Sequence, residues 1–205
     1  MSKIDISGTW RYRLDPENVG TKQQWFTQQF EDKLMILPGT TNSNQIGTKQ
    51  EVSLQQEFSK ESLTCFRENY HYQGVLWLQK TVTLPKEFRG KELTLSLERT
   101  LGQSALWMEG QYIGEEYSLS IPHRYHFMTA TLIQQETITL TLRLDNRDLM
   151  NVGVRASGYS LDTQGFWCGI VGDMFLTDSI CIPADMTLTF DEENEVLRIE
   201  LRNKR

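Results

Sequence analysis

A chain of 205 residues with 27 acidic and 21 basic side chains carries a net charge of −6, and its lysines and arginines are scattered singly through strand-like stretches, which argues against a nucleic-acid-binding surface. Its longest apolar runs are only a few residues, far short of the roughly 20 that a membrane helix needs, so no membrane partner is expected. Cys65, Cys168 and Cys181 are odd in number, widely spaced and without a C-x-x-C pair, so they imply neither a disulfide framework nor a zinc site and read as free thiols, two of them buried.

A chain of this length buries roughly 70% of its unfolded surface and can hold a real core. The start, MSKIDISGTW, lacks the basic-then-apolar layout of a secretion signal. Free thiols and the absence of N-x-Ser/Thr sites lean toward a bacterial setting, periplasmic or cytoplasmic.

In chain order, the first expected element is a helix over Lys22 to Phe30, with Thr21 as N-cap and Trp25, Phe26 and Phe30 as its anchoring face. Gly39 to Gln56, rich in Thr, Asn, Ser and Gln, reads as a long loop of the functional kind. From there period-2 alternation dominates. Leu76, Leu78, Val82 and Leu84 share one face, Leu93, Leu95 and Leu97 another, and Ile138, Leu140, Leu142 and Leu144 oppose Thr137, Thr139, Thr141 and Arg143, as in a half-buried antiparallel strand. Turn signals separate these runs, among them Pro85, Arg89-Gly90, Glu109-Gly110, where Gly110 supplies a positive φ, and Pro122. The pattern predicts an all-β sandwich or barrel.

The stretch Asp162 to Leu176, DTQGFWCGIVGDMFL, sets Thr163 and Gln164 beside Phe166 and Trp167. Hydrogen-bonding groups next to flat aromatic faces suit a sugar, but a Trp beside Gly-Ile is more often a core plug at the end of a sandwich than a ligand platform. After Ile180-Cys181-Ile182-Pro183 the texture changes to two strand patterns, Met186 to Phe190 and Val196 to Leu201, around the acidic turn Asp191-Glu192-Glu193-Asn194. A lone hairpin is marginal in water, so residues 181–205 are expected to begin a second β-domain whose remainder lies outside this chain, with residues 1–180 forming the first.

Catalytic signals are sparse. His123 and His126, in Pro122-His-Arg-Tyr-His, read as surface or turn residues, since no third ligand of suitable spacing supports a metal site. No G-x-S-x-G elbow and no glycine-rich phosphate loop occurs, and Glu115-Glu116 and Asp191-Glu192-Glu193 fall in solvated turns. No cofactor, metal or catalytic residue is expected.

Several blocks, taken in order, are similar to the N-terminal sugar-binding domain of glycoside hydrolase family 2, the family of β-galactosidases, β-glucuronidases and β-mannosidases. They are Ser7-Gly8-Thr9-Trp10 with Leu14-Asp15, Leu37-Pro38-Gly39-Thr40, Tyr72-Gln73-Gly74 before Leu76 to Lys80, Leu97-Glu98-Arg99-Thr100, Leu106 to Gly110 with Ile113-Gly114, Ser118 to Tyr125, Leu144-Asp145-Asn146-Arg147, and Thr163-Gln164 through Gly172.

The resemblance implies a galactose-binding-type jelly-roll sandwich, followed by an immunoglobulin-like sandwich and a catalytic barrel that holds both glutamates. It implies a carbohydrate partner, a β-glycoside, and a chain that by itself hydrolyses nothing. The residues it points toward sugar are Asp162, Thr163, Gln164, Trp167, Asn146 and Arg147. Phe166 and Cys168 stand where relatives carry asparagines, and neither bonds a hydroxyl as an amide does. The alternative is a stand-alone carbohydrate-binding module or lectin-like domain with Trp107, Tyr112, Trp167 or Phe166 as its platform. A third reading is a ligand-free module that docks other domains around Ile180 to Pro183.

Overall fold

The computed structural model describes residues 3–50, 68–129, 136–147, 167–178, 185–191 and 194–202. Its strands are β1 (Lys3–Asp5), β2 (Gly8–Asp15), β3 (Leu34–Leu37), β4 (Gly39–Thr40), β5 (Thr48–Lys49), β6 (Tyr70–His71), β7 (Val75–Thr83) and β8 (Glu92–Leu97). There follow β9 (Gly102–Met108), β10 (Gln111–Ser118), β11 (His123–Met128), β12 (Thr137–Asp145), β13 (Gly169–Ile170), β14 (Met174–Asp178), β15 (Asp185–Asp191) and β16 (Val196–Arg202).

Two antiparallel sheets form the body: β1-β14-β8-β11, and β10-β9-β12-β7-β2-β3. The expected alternation places Leu76, Leu78, Leu140, Leu142 and Leu144 of the larger sheet against Leu93, Leu95, Leu97, Tyr125, Phe127 and Leu176 of the smaller one, all buried in one core with Trp10 and Met35. This is a jelly-roll-type β-sandwich, as expected.

The outer face of the six-stranded sheet departs from the half-buried pattern. Register pairs share a face, so Arg13–Trp77–Arg143–Ala105 run across it, with Trp107 opposite Thr141 and Tyr112. Trp25 and Phe30 fold over this face and bury Val75, Trp77, Ala105 and Trp107 in a second apolar cluster, with Val19 and Phe26 packed against it. Gln79, Thr141, Arg143 and Asp145 are therefore buried although they point away from the main core.

The residues that make this cover were expected as a helix over Lys22 to Phe30. The structure corrects that: only a 3-10 turn, Trp25–Thr27, forms, and its N-cap is Gln24 in the left-handed region at φ 53° with no side-chain cap. The segment starts instead from Asp15, whose carboxylate accepts the backbone N–H groups of Val19 and Gly20, each at 2.8 Å.

The described part of the expected loop from Gly39 contains β4 and β5, paired with β13 and β6; residues 51–56 lie outside the described residues. His123 and His126 lie on strand β11, not in a turn. Glu109 (φ 50°) and Gly110 (φ 76°) form the two-residue link between Met108 and Gln111, both in the left-handed region that primed hairpin turns require, and the register of β10 shifts between Tyr112 and Gly114. β15 and β16 form a hairpin on which Leu188 faces Ile199 and Phe190 faces Leu197, all exposed.

Candidate functional site

At one end of the sandwich β12 stops at Asp145, and the next residue, Asn146, donates its N–H to Gly74 O (3.4 Å) in the Tyr72-Gln73-Gly74 entry to β7. Asp145 is wholly buried. Its carboxylate accepts from Arg143 Nη2 (2.8 Å) and from Arg147 Nε (2.8 Å), Nη2 (2.6 Å) and backbone N (3.2 Å). Burial alone would raise this carboxyl, but the Arg147 hydrogen bonds and the two guanidinium charges outweigh it and hold Asp145 below the usual carboxylate range. The Arg147 side chain is 36% exposed, and its Nη1 takes no part in these bonds, so it presents a fixed donor at the rim of the corner.

Asn146, expected among the sugar-facing groups, is buried. Its Oδ1 accepts from Gly74 N (2.8 Å) and its Nδ2 donates to Tyr72 O (3.0 Å), so its amide ties the end of β12 to the start of β7. The Tyr72 hydroxyl donates to Val75 O (2.6 Å) and accepts from Asp15 N (3.2 Å), and its burial pushes the phenol well up. Trp167 is half-buried and packs with Leu119 on Leu101. Asp162, Thr163, Gln164 and Phe166 lie outside the described residues.

Cys168 joins the main core, where burial pushes its thiol far above the ordinary range, so the side chain is neither a ligand for a hydroxyl nor a nucleophile. Gly169 follows at φ 146° with its Cα side against the Gly39 carbonyl; a Cβ there would collide with that oxygen, so the close pairing of β13 with β4 requires glycine.

The histidines form separate local contacts. His123 is buried on β11, its Nε2 donating to Ser118 O (3.2 Å), so Nδ1 accepts from Ser104 Oγ (2.5 Å), which in turn accepts from the Tyr125 hydroxyl (2.5 Å). His126 Nδ1 meets Thr94 Oγ1, and His71 Nδ1 meets Glu68. Among the described residues no group of three or more His, Cys, Asp or Glu is placed to hold a metal ion.

Sequence reasoning missed the outer aromatic cluster and the Asp15–Trp77 bond. A signal for it was present. Leu76-Trp77-Leu78 and Leu106-Trp107-Met108 are continuous apolar runs inside alternating strands, the mark of a strand covered on both faces.

Fold and corner together define a jelly-roll β-sandwich domain that resembles the N-terminal domain of glycoside hydrolase family 2, as the ordered sequence blocks implied. The particular proteins it is similar to are β-glucuronidases. No family model matches the chain. A curated β-glucuronidase of Paenibacillus borealis is 24% identical over 107 residues, 52% of this chain and 15% of that protein.

The apo structure of Ruminococcus gnavus β-glucuronidase aligns with a TM-score of 0.61 at 16% identity, covering 93% of this chain and 31% of that one. The same enzyme in complex with uronic deoxynojirimycin gives 0.59 at 15%, covering 92% and 31%. At such identities the likeness is one of fold. The chain spans under a third of the length of these relatives.

Proposed function

We propose that this chain is the non-catalytic, sugar-binding and scaffolding N-terminal domain of an exo-acting β-glycosidase of the β-glucuronidase or β-galactosidase type, acting in carbohydrate degradation. In this reading residues 1–180 are the jelly roll and residues 181–205 open an immunoglobulin-like sandwich, and a separate barrel supplies both catalytic glutamates. One observation carries it: the motif blocks occur in order along a sandwich that matches 93% of this chain but only 31% of a β-glucuronidase.

The corner supports a supporting role over a catalytic one. Asp145 is locked by two arginines, Cys168 is sealed in the core, and Asn146 braces the corner from within. In this reading Asp162, Thr163 and Gln164 are the groups that meet the sugar, and Arg147, whose Nη1 bonds no group among the described residues, adds a donor suited to a hydroxyl or a uronic carboxylate.

Incubating the 205-residue chain with p-nitrophenyl β-D-glucuronide and β-D-galactoside tests this directly. No nitrophenol release is expected; turnover by the chain alone would overturn the non-catalytic assignment.

A further inference from the structure

The outer face of the six-stranded sheet holds a groove that the corner does not use. On β9, Ala105 lies between Gln103 and Trp107 on this face, and its register partners are Arg143 and Glu115. Ala105 is itself buried at the floor, and the longer side chains around it form the open walls of a depression. Phe26 walls it on one side, stacked on Trp107 with ring centroids 5.1 Å apart and planes 8° from parallel. Tyr112, on the edge strand β10, meets Trp107 edge-on at 5.4 Å and is itself 56% exposed. The resulting cavity measures ≈ 560 Å³. A second cavity of ≈ 460 Å³, edged by Gln29, Gln111, Thr81 and Thr139, also has Phe26 in its wall. Both volumes fall within the range of small-molecule sites.

The polar groups of the groove are held in place. Arg143 donates from Nη2 to Asp145 (2.8 Å) and Asn18 (2.9 Å) and from Nη1 to Gln103 Oε1 (3.2 Å), and Gln103 Nε2 donates to Glu115 Oε2 (3.3 Å). Groups fixed in this way lose little freedom when a ligand arrives. The side-chain amides of Gln24 and Gln111 make no hydrogen bond among the described residues.

The groove carries no net positive field: Arg143 is matched by Asp145 and Arg11 by Asp32, Lys22 shares the first cavity with Glu115, and Glu109 lines the second. That balance disfavours a polyanion, and the polar walls disfavour a lipid chain. Aromatic faces flanked by amides and hydroxyls match a pyranose ring, apolar on its C–H face and hydroxylated around its rim.

We propose that this face is a carbohydrate-binding groove for a neutral glycan chain, with one pyranose ring against the exposed ring of Tyr112 beside Phe26 and the next ring beyond Phe26 in the second cavity. It is built from β9, β10 and the segment around Phe26, and it stands whether or not the chain is part of a glycosidase.

The test is an NMR titration of the 205-residue chain with cellotetraose, xylotetraose and mannotetraose, with tri-galacturonate as the acidic comparison. At least one neutral tetrasaccharide should shift the amides of Gln103 to Glu115 and of Thr21 to Phe26. Tyr112→Ala should weaken that binding about tenfold, while Tyr112→Phe, which keeps the ring, should stay within about threefold. Should Tyr112→Ala fail to fold, Gln24→Asn, a shorter amide that tolerates the left-handed backbone, should weaken binding about threefold.

No shift with any neutral tetrasaccharide, binding of the acidic trimer alone, or binding that neither variant weakens would overturn the proposal. Shifts confined to Asp145 to Arg147 and Trp167 would overturn the groove while leaving the glycosidase-domain reading intact.

Discussion

The indole N–H of Trp77 donates to the carboxylate of Asp15 across 3.0 Å in the buried outer layer of the six-stranded sheet. The same carboxylate accepts Val19 N and Gly20 N, so one side chain at the end of β2 turns the following segment back over β7. Removing it leaves three donors without their acceptor. Asp15→Ala should therefore lower the unfolding free energy by about 3 kcal/mol in a urea titration, through desolvated donors rather than lost apolar area. A loss below about 0.5 kcal/mol would show that water replaces the carboxylate.

Gly20 tests the same contact by crowding. A Cβ there would lie 2.5 Å from Trp77 Nε1 and 2.8 Å from Asp15 Oδ2. Gly20→Ala should destabilise the chain by about 1–3 kcal/mol and alter Trp77 fluorescence, because neither the indole nor the carboxylate can retreat without breaking its bond to the other. Unchanged stability and emission would contradict that packing.

Buried His123 links the fold to pH. Burial depresses its pKa below 6.5, opposed in part by the Ser118 carbonyl. A depressed folded-state value means that the unfolded chain binds the extra proton first, so the contribution of neutral His123 is complete above pH 6.5 and is lost as pH falls through the folded-state pKa. Protonation would also turn Nδ1 into a second donor facing Ser104, breaking the order of the Tyr125–Ser104–His123 chain. Unfolding free energy should fall more steeply from pH 7 to pH 5 in the native chain than in His123→Gln; parallel curves would contradict this role.

The hairpin β15–β16 exposes Leu188, Phe190, Leu197 and Ile199 on one face. If the domain boundary lies at residue 180, ending the chain there removes an unpartnered surface and none of the sandwich core. The melting temperature should stay within about 2 °C of that of the full chain, whereas a core contribution of 1 kcal/mol would shift it by about 2–4 °C or more. A larger drop would move the boundary.

Much of the sandwich was legible because its signal is local. Ile138 to Leu144 alternate, and the strand they form buries the expected face. Glu109-Gly110 announced the β9–β10 hairpin through turn chemistry. The cover over the outer face was not legible in the same way. Trp25, Phe26 and Phe30 suggested a helix face, but their placement is set by the nearby Asp15 and by Trp77 and Trp107, which lie far along the chain. At the corner, Asp145 and Arg147 could be read as a charged cluster at a strand end. The burial of Asn146 could not, because it depends on contacts with Tyr72 and Gly74 that only the folded sheet creates.

The most direct measurement of the central claim is the size and activity of the native polypeptide that carries these residues, captured from its source cells with an antibody raised against the 205-residue chain. A domain that scaffolds a β-glycosidase should be recovered within a polypeptide several times longer, which releases nitrophenol from a β-glucuronide or β-galactoside while the 205-residue chain does not. Recovery only of a protein of about 24 kDa, inactive on both, would contradict it.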